Sequence, residues 1–247
     1  MLYLRSLLFN ILFYGLTVIL AVLLLPALLL PAGVIRQMAR LWGWITIVTL
    51  RVAGGHHRIG GDIALDRQVI YAAKHQSAWE TIMFQVIFPP QIWALKREAL
   101  WLPFFGWGLA ATSPIAIDRS TPVRALDRLL RQGRQKLTEG RWVVIFPEGT
   151  RMAPGEQGAF HPGGAMLAVK AGVDVLPVAH DAGCYWARRG FLKKPGVIQV
   201  RIGPPIKTDG KKARAVNDEA REWITGAMTV LQGAPEKTMD PKKEKTT

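Results

Sequence analysis

The stretch Lys74-His75-Gln76-Ser77-Ala78-Trp79-Glu80 joins a predicted strand to a predicted helix. The residues before it, Val69–Ala73, are typical of a buried strand, and residues 81–86 are typical of a helix. A histidine at the end of a strand, with a carboxylate five residues on, can form a base and the group that orients it. Ser77 and Glu80 also fit a capping box, which requires no chemistry. Glu80 is not expected to bond fully to both the cap amide and the histidine, so its role stays open at this point.

The N-terminal region contains a long uncharged segment, which extends from Ser6 to Ile35. As one helix it would measure about 45 Å, more than the roughly 30 Å apolar thickness of a bilayer. Pro26 and Pro31 would kink or end this helix, so its intact part is predicted over residues 7–25, about long enough to span. A cleaved signal peptide is disfavoured, because its apolar region should be only about 7 to 15 residues long.

A second apolar segment, residues 41–50, is too short to span a membrane. Its tryptophans, Trp42 and Trp44, lie near flanking arginines and suit the head-group layer. The two segments together could form a span with an interfacial helix, or a helical hairpin that dips into one leaflet. In either case residues 1–53 are predicted to be a membrane-anchoring helical segment.

The composition points to an anionic partner. The chain of 247 residues carries 32 Lys and Arg against 18 Asp and Glu, a formal net charge of +14. No helix-turn-helix, zinc-finger or RNP pattern is present, and an apolar anchor favours anionic lipid or a phosphorylated lipid substrate over nucleic acid. The single cysteine excludes an intramolecular disulfide, and no Cys/His cluster suggests a metal. The charged tail at residues 234–247 is predicted to be disordered.

Between residues 54 and 233, short apolar runs alternate with helical patterns. Strands are predicted at residues 56–61, 69–73, 91–95, 113–119, 142–146, 173–180 and 197–203. This alternation predicts an α/β fold with a largely parallel sheet flanked by helices. Pro177 argues that its strand lies at an edge of the sheet or that the strand ends there.

Polar residues follow three of these strands where each strand ends. The clusters are Lys74-His75, Asp118-Arg119 and Pro147-Glu148-Gly149-Thr150-Arg151. Ligands of parallel sheets bind at the carboxyl ends of the strands. Convergence of the three clusters at one edge would create a site that binds an anionic substrate and contains a base.

These blocks resemble the glycerolipid acyltransferases, the family that includes 1-acyl-glycerol-3-phosphate acyltransferases. That family is recognised by His-x4-Asp, an arginine-bearing block, Phe-Pro-Glu-Gly-x-Arg and a Val-Pro block, in this order. Here the blocks are His75 to Glu80, residues 117–119, Phe146 to Arg151 and residues 176–178. The chain departs from the pattern in carrying Glu80 instead of aspartate, and in residues 160–164, where the family commonly has a basic residue and a single glycine.

The resemblance implies acyl transfer from acyl-CoA or acyl carrier protein to the hydroxyl of 1-acyl-glycerol-3-phosphate, which makes phosphatidic acid. The acyl thioester is a co-substrate, and neither a cofactor nor a metal is implied. His75 would remove the hydroxyl proton, and Glu80 would orient His75 and stabilise its charged form. No Gly-x-Ser-x-Gly elbow offers a nucleophilic serine.

Six further residues are implied in substrate binding: Lys96, Arg119, Glu148, Gly149, Thr150 and Arg151. Arg119 and Arg151 would bind the phosphate through guanidinium forks, with Lys96 as a further cation. Glu148 would hold an arginine or the hydroxyl end of the acceptor. Gly149 and Thr150 would offer backbone N–H groups to the phosphate or to the developing oxyanion.

Three other functions fit the same residues: acyl transfer to another lyso-lipid such as a lyso-aminolipid, thioester hydrolysis, and non-catalytic binding to anionic membranes. Release of free thiol separates the enzymes from the binding module, and a lyso-lipid requirement separates transfer from hydrolysis. The resemblance places the protein at a membrane. The expected membrane is the bacterial inner membrane, with the catalytic domain facing the cytoplasm.

Overall fold

A helical pair and a seven-stranded sheet with its own helices make up the described part of the protein. The structure is a computed structural model that describes residues 1–23, 32–63, 67–103, 105–118 and 120–233. Its helices are α1 Leu2–Leu23, α2 Ala32–Leu50, α3 Trp79–Ile87, α4 Phe105–Ala111, α5 Pro122–Thr138, α6 Gly163–Ala171, α7 Ala182–Tyr185 and α8 Ala213–Gly233. Its strands are β1 Gly55–Gly60, β2 Val69–Ala73, β3 Gln91–Lys96, β4 Ile115–Ile117, β5 Trp142–Ile145, β6 Asp174–His180 and β7 Gly196–Ile202.

The strands follow the order β1-β7-β6-β2-β5-β3-β4 in one sheet. Every neighbouring pair is parallel except β6 and β7, which are antiparallel. The prediction of an α/β fold with a largely parallel sheet is therefore confirmed. The strands β2, β3, β4, β5 and β6 share one direction, so their carboxyl ends lie along the same edge.

The central strand β2 shows why the sheet is covered on both faces, since all five of its residues are buried. Val69, Tyr71 and Ala73 pack into a core with residues of α1, α2 and α3. Ile70 and Ala72 point to the opposite face and pack with residues of α5, α6 and α8. This alternation follows from the two-residue period of a strand.

The prediction that Pro177 marks a sheet edge or a strand end is wrong, because β6 lies inside the sheet between β7 and β2 and continues to His180. Its register with β2 includes the pair Ala72 and Pro177. On its other side, the regular pairing with β7 includes only residues 178–180 of β6. There the Pro177 carbonyl accepts a hydrogen bond from the Gly203 N–H. The missing proline N–H therefore costs the sheet no ladder bond.

The helix α1 docks on the domain along one side and is exposed on the other. Phe9 is fully buried and meets Trp186 edge-on, with ring centroids 5.1 Å apart. Phe13 contacts Trp42 of α2 and the same Trp186. The exposed side carries large apolar residues: Leu4, Leu7, Leu8, Ile11, Tyr14, Val18, Ile19 and Val22. Within the described ranges, α1 is the one helix with the length and hydropathy to cross a membrane.

A buried lysine fastens α1 to the loop that follows α7. Lys193 is 2% exposed, and its Nζ donates to Asn10 Oδ1 and to the carbonyls of Gly190 and Phe191. The Lys193 N–H also donates to Ser6 Oγ on α1. These bonds and the aromatic contacts hold α1 against the domain that contains the sheet. The predicted domain boundaries remain predictions, and the tail at residues 234–247 lies outside the described residues.

Candidate active site

The carboxyl ends of β2, β3 and β5 border a cavity of about 440 Å³. The other walls come from α1, α2, α3 and α4, and most of these lining residues are apolar: Thr17, Leu20, Ala21, Ile35, Met38, Ala39, Trp42, Thr81, Gln85, Gly108, Leu109, Ala111 and Thr112. Polar groups from the strand ends and from the loop after α7 line the same space. The cavity therefore has an apolar part, lined by the helices, and a basic part, lined by the strand ends and the loop after α7.

His75 lies in the wall of this cavity and has a fixed orientation. Its Nδ1 is 2.8 Å from Glu80 Oε1, and its ring stacks on Phe146 with centroids 3.9 Å apart. Because a carboxylate can only accept, Nδ1 carries the proton, and Nε2 of the neutral ring is a base. The side chain is 15% exposed, which suits a group that must be both held and reached.

Glu80 performs both of the roles that the sequence argument treated as alternatives. It is fully buried, and its Oε1 accepts from the N–H groups of Gln76 and Ser77 at 2.9 and 2.8 Å as well as from His75. The expectation that Glu80 cannot bond fully to both is wrong, because its side chain folds back over the turn that carries both sets of donors. The Ser77 hydroxyl accepts from the N–H of Trp79, the first residue of α3.

A second histidine, His180, supports this pair and was missed by the sequence argument. It is fully buried at the end of β6, where its Nε2 donates to the Lys74 carbonyl and its Nδ1 accepts from the Ala182 N–H. These partners define a neutral ring, and burial lowers the pKa of His180. Its position as the last residue of a predicted parallel strand was the signal that could have identified it, because the ends of such strands form the site.

The ionisation of Glu80 is secured by its surroundings. Burial alone raises the pKa of this carboxyl, but the hydrogen bonds from His75 Nδ1 and from the Ser77 N–H oppose burial and lower the pKa below its usual range. Glu80 is therefore a carboxylate at any pH at which the enzyme would work. A permanent negative charge beside Nδ1 stabilises the imidazolium that forms when His75 takes a proton.

Glu148 serves the framework of the site and does not line the cavity. Its Oε1 is 2.5 Å from Lys74 Nζ, and both side chains are buried. Its oxygens also accept from the N–H groups of His75 and Gly158. The expected partner, an arginine or a substrate hydroxyl, is replaced by Lys74. A buried ion pair with further hydrogen bonds joins the first and third motif blocks, so it positions the backbone of His75.

The third block brings three of its predicted residues to the cavity: Gly149, Thr150 and Arg151. Gly149 has a positive φ of 66°, and its N–H donates to the Phe146 carbonyl within the turn. That bond disagrees with the expected role of the Gly149 N–H as a donor to substrate. The Arg151 guanidinium is largely buried, and its Nε has no hydrogen-bond partner among the described residues.

The cation at the end of β3, Lys96, reaches the cavity, whereas Asp118 does not line it. Lys96 lines the cavity, is about half exposed and is 3.3 Å from Glu98. Asp118 is exposed beyond the cavity lining, with its carboxylate 3.8 Å from Arg97. Arg119 lies outside the described residues, so its predicted role remains a prediction.

Two further arginines, Arg188 and Arg189, line the cavity and were not predicted. They belong to the loop after α7, where Arg188 Nη1 donates to the Arg151 carbonyl at 3.2 Å. The run Ala-Arg-Arg-Gly carries no motif of its own. Its place shortly after the end of β6 was the one signal that could have singled it out.

A histidine held by a buried carboxylate, in a cavity that is both apolar and basic, defines a general-base enzyme for an amphipathic anionic substrate. A family model described as "Acyltransferase" matches residues 55–181, which include the His75, Phe146–Arg151 and Pro177 blocks. The chain belongs to the acyltransferase family and is an acyltransferase.

Similar proteins agree with this assignment. A 1-acyl-sn-glycerol-3-phosphate acyltransferase of Pseudomonas aeruginosa is 43% identical over 212 residues, 84% of this chain and 81% of that protein. An enzyme of the same name from Cocos nucifera is 26% identical, over 81% of this chain and 66% of that protein. The crystal structure of a 1-acyl-sn-glycerophosphate acyltransferase from Thermotoga maritima superimposes with a TM-score of 0.79 at 23% identity, over 96% of this chain and all of that one. That likeness supports the fold.

Proposed function

We propose that this acyltransferase moves an acyl chain from acyl-CoA or acyl carrier protein to the free hydroxyl of 1-acyl-glycerol-3-phosphate, making phosphatidic acid. The observation that carries the proposal is the His75–Glu80 pair in one cavity with Arg151 and an apolar compartment. The name of the Pseudomonas relative supports the same acceptor. A cluster of cations favours a phosphorylated acceptor over a lyso-aminolipid.

The reaction needs a base and no nucleophile from the protein. Nε2 of His75 accepts the proton of the acceptor hydroxyl while its oxygen attacks the thioester carbonyl. The tetrahedral intermediate collapses by breaking the carbon–sulfur bond, and the leaving thiolate takes the proton back from the imidazolium. Glu80 holds the ring and stabilises its charged form throughout.

The two compartments of the cavity divide the substrate between them. Arg151 binds the phosphate of the acceptor, with Lys96 as a further cation and the Thr150 backbone as a donor. An acyl chain lies along the apolar walls supplied by α1, α2 and α4. Arg119 remains a candidate for the phosphate on the sequence argument alone.

The exposed apolar side of α1 suggests membrane association. We infer that α1 and α2 enter one leaflet together, because α1 also lies against the domain through Phe9 and Phe13 and a cavity wall. Cytoplasmic acyl donors and a bacterial relative support the inner membrane, with the catalytic domain on the cytoplasmic side.

Replacement of the proposed base tests the function. His75→Ala should lower transfer from acyl-CoA to lysophosphatidate by about 10² to 10⁴-fold, the usual contribution of a positioned base. His56→Ala is the matched control, because His56 is exposed on the edge strand β1 and lies apart from the cavity. Both proteins should keep the same thermal midpoint. A folded His75→Ala protein with full activity would refute the catalytic role.

Two measurements in the same assay separate the remaining alternatives. Thiol release in the absence of any lyso-lipid would identify a hydrolase. Binding of anionic vesicles with no thiol release under any condition would identify a non-catalytic membrane module. Acyl transfer that requires lysophosphatidate supports the proposed function.

A further inference from the structure

The loop after α7 contains a tight turn with an unusual residue at its third position. The turn covers Ala187 to Gly190, and the Gly190 N–H donates to the Ala187 carbonyl at 3.0 Å. Arg189 occupies the third position with a φ of 57°. Turns with a positive φ at this position normally use glycine or asparagine there, because a side chain in the left-handed region is strained.

The strained residue of this turn, Arg189, carries a positive charge at the cavity. Among the described residues that are not glycine, only Arg189 and Ser113 have a positive φ. Glycine would meet the backbone requirement at position 189 without strain, so the turn alone does not account for arginine. The Arg189 side chain lines the cavity together with Arg188 and Arg151. Strained backbone that positions a side chain at a site is a reason to infer a function for that side chain.

The three arginines form a cluster of like charges, and none of them forms an ion pair with a carboxylate among the described residues. Arg188 is tied to Arg151 through the carbonyl of the latter. Burial lowers the pKa of Arg151, and the charges of Arg188 and Arg189 lower it further, although Glu80 opposes them. Such mutual repulsion is relieved when an anion of charge near −2 enters between the guanidinium groups.

We propose that Arg189, together with Arg188, binds a substrate phosphate jointly with Arg151. The inference rests on the proposed function, because it assigns these two arginines to a phosphate of the same reaction. Guanidinium groups match phosphate oxygens in pairs, and a phosphate monoester carries enough charge for several of them. Because Arg151 is assigned to the acceptor, the phosphate is expected to be that of the acceptor; acyl-CoA also carries phosphate groups, and the probes below distinguish the two sources.

The test is Arg189→Gly, which removes the side chain and relieves the backbone at once. Its thermal midpoint should equal that of the wild type within about 2 °C or exceed it, because glycine suits a positive φ. Ser113→Gly is the matched control for the release of strain alone. Arg214→Ala is the control for the loss of one positive charge, because the Arg214 side chain is 93% exposed on α8.

Binding is measured without turnover, by calorimetry on the full-length protein in detergent. The probes are lysophosphatidate, monoacylglycerol with the same chain, acyl-CoA, and the acyl-pantetheine thioester, which lacks phosphate. Arg189→Gly should weaken one phosphate-bearing probe about tenfold or more, the size of one lost charge-assisted hydrogen bond. The matching phosphate-free probe should bind unchanged. Arg189→Lys should recover part of the loss, because lysine keeps the charge without the fork.

The two phosphate-bearing probes identify the source. Selective loss of lysophosphatidate assigns the arginines to the acceptor, and selective loss of acyl-CoA assigns them to the donor. Equal affinities of wild type and Arg189→Gly for all four probes would overturn the proposal, as would equal losses with and without phosphate. A wild type that binds phosphate through Arg189 yet transfers no acyl chain would leave this site standing and remove the proposed function.

Discussion

Replacing Glu80 by glutamine separates its charge from its geometry. Glutamine has nearly the same shape, and its oxygen can take the place of Oε1, which accepts from His75 Nδ1 and from the N–H groups of Gln76 and Ser77. The amide nitrogen then occupies the place of Oε2 and cannot accept from the Ser77 N–H, so Ser77 keeps only its bond to the oxygen in the place of Oε1. The imidazole of His75 therefore keeps its orientation, while the negative charge beside it disappears.

The expected loss of rate follows from that charge. A carboxylate and an imidazolium with charge centres about 4 Å apart attract each other by about 4 kcal/mol at an effective dielectric constant of 20. The dipole of the amide oxygen supplies part of this attraction, so the variant loses about 2 to 3 kcal/mol of transition-state stabilisation. At about 1.4 kcal/mol per tenfold change, kcat of Glu80→Gln should fall about 30- to 150-fold.

The assay is steady-state thiol release with saturating acyl-CoA and lysophosphatidate. Because the pKa of Glu80 lies below its usual range, its charge is present throughout the assay range, so the wild-type and variant kcat values are compared on the high-pH plateau of each profile. Glu80→Asp is the companion variant, since it keeps the charge but withdraws it by one carbon–carbon bond, about 1.5 Å. A Glu80→Gln enzyme within threefold of the wild-type kcat on that plateau would refute the argument.

Two further predictions concern stability and chain length. Burial raises the pKa of Asp181 to about 6, so the folded protein binds more protons than the unfolded chain between about pH 4 and 6 and loses stability as the pH rises through that window. Asp181→Asn can keep the bond from the Gln199 N–H. Its free energy of unfolding, measured in urea, should exceed that of the wild type by about 2 kcal/mol at pH 8 and should equal it at pH 4. A difference between the two proteins that does not change with pH would contradict this. Ala39→Phe narrows the cavity and should disfavour long acyl-CoA about tenfold against shorter ones in a competition assay. Leu41→Phe, exposed on the same helix, is its control, and equal chain-length profiles of all three proteins would show that Ala39 does not limit the chain.

The sequence predicted the sheet well because its strands are short apolar runs with sharp ends. Residues 69–73 form β2 as expected, and the polar residues after β2 and β5 meet at one edge. Pro177 misled the argument because the rule against proline inside a sheet assumes a continuous ladder on both sides. The β6–β7 pairing starts only at Val178, and that detail is a property of the assembled sheet.

The site was harder to predict where contacts are long-range. His75 and Glu80 are local in sequence, so their pairing could be expected from a turn and a helix start. Glu148 bonds to a lysine 74 residues away, and sequence alone offers no means to rank that partner above an arginine. Arg188 and Arg189 belong to no motif, and their charges resemble any exposed basic run until the loop is placed beside the cavity.

One wall of the cavity is the apolar helix α1 itself, through Thr17, Leu20 and Ala21. An acyl chain in the cavity and the lipid beside the exposed side of α1 are then separated by about one helix diameter, roughly 10 Å. Exposing a sixteen-carbon chain to water costs about 0.8 kcal/mol per methylene, more than 10 kcal/mol in total. A lipid that enters the cavity laterally past α1 avoids that barrier. The acceptor then arrives by lateral diffusion in the bilayer, and its rate of delivery should follow the fluidity of the membrane.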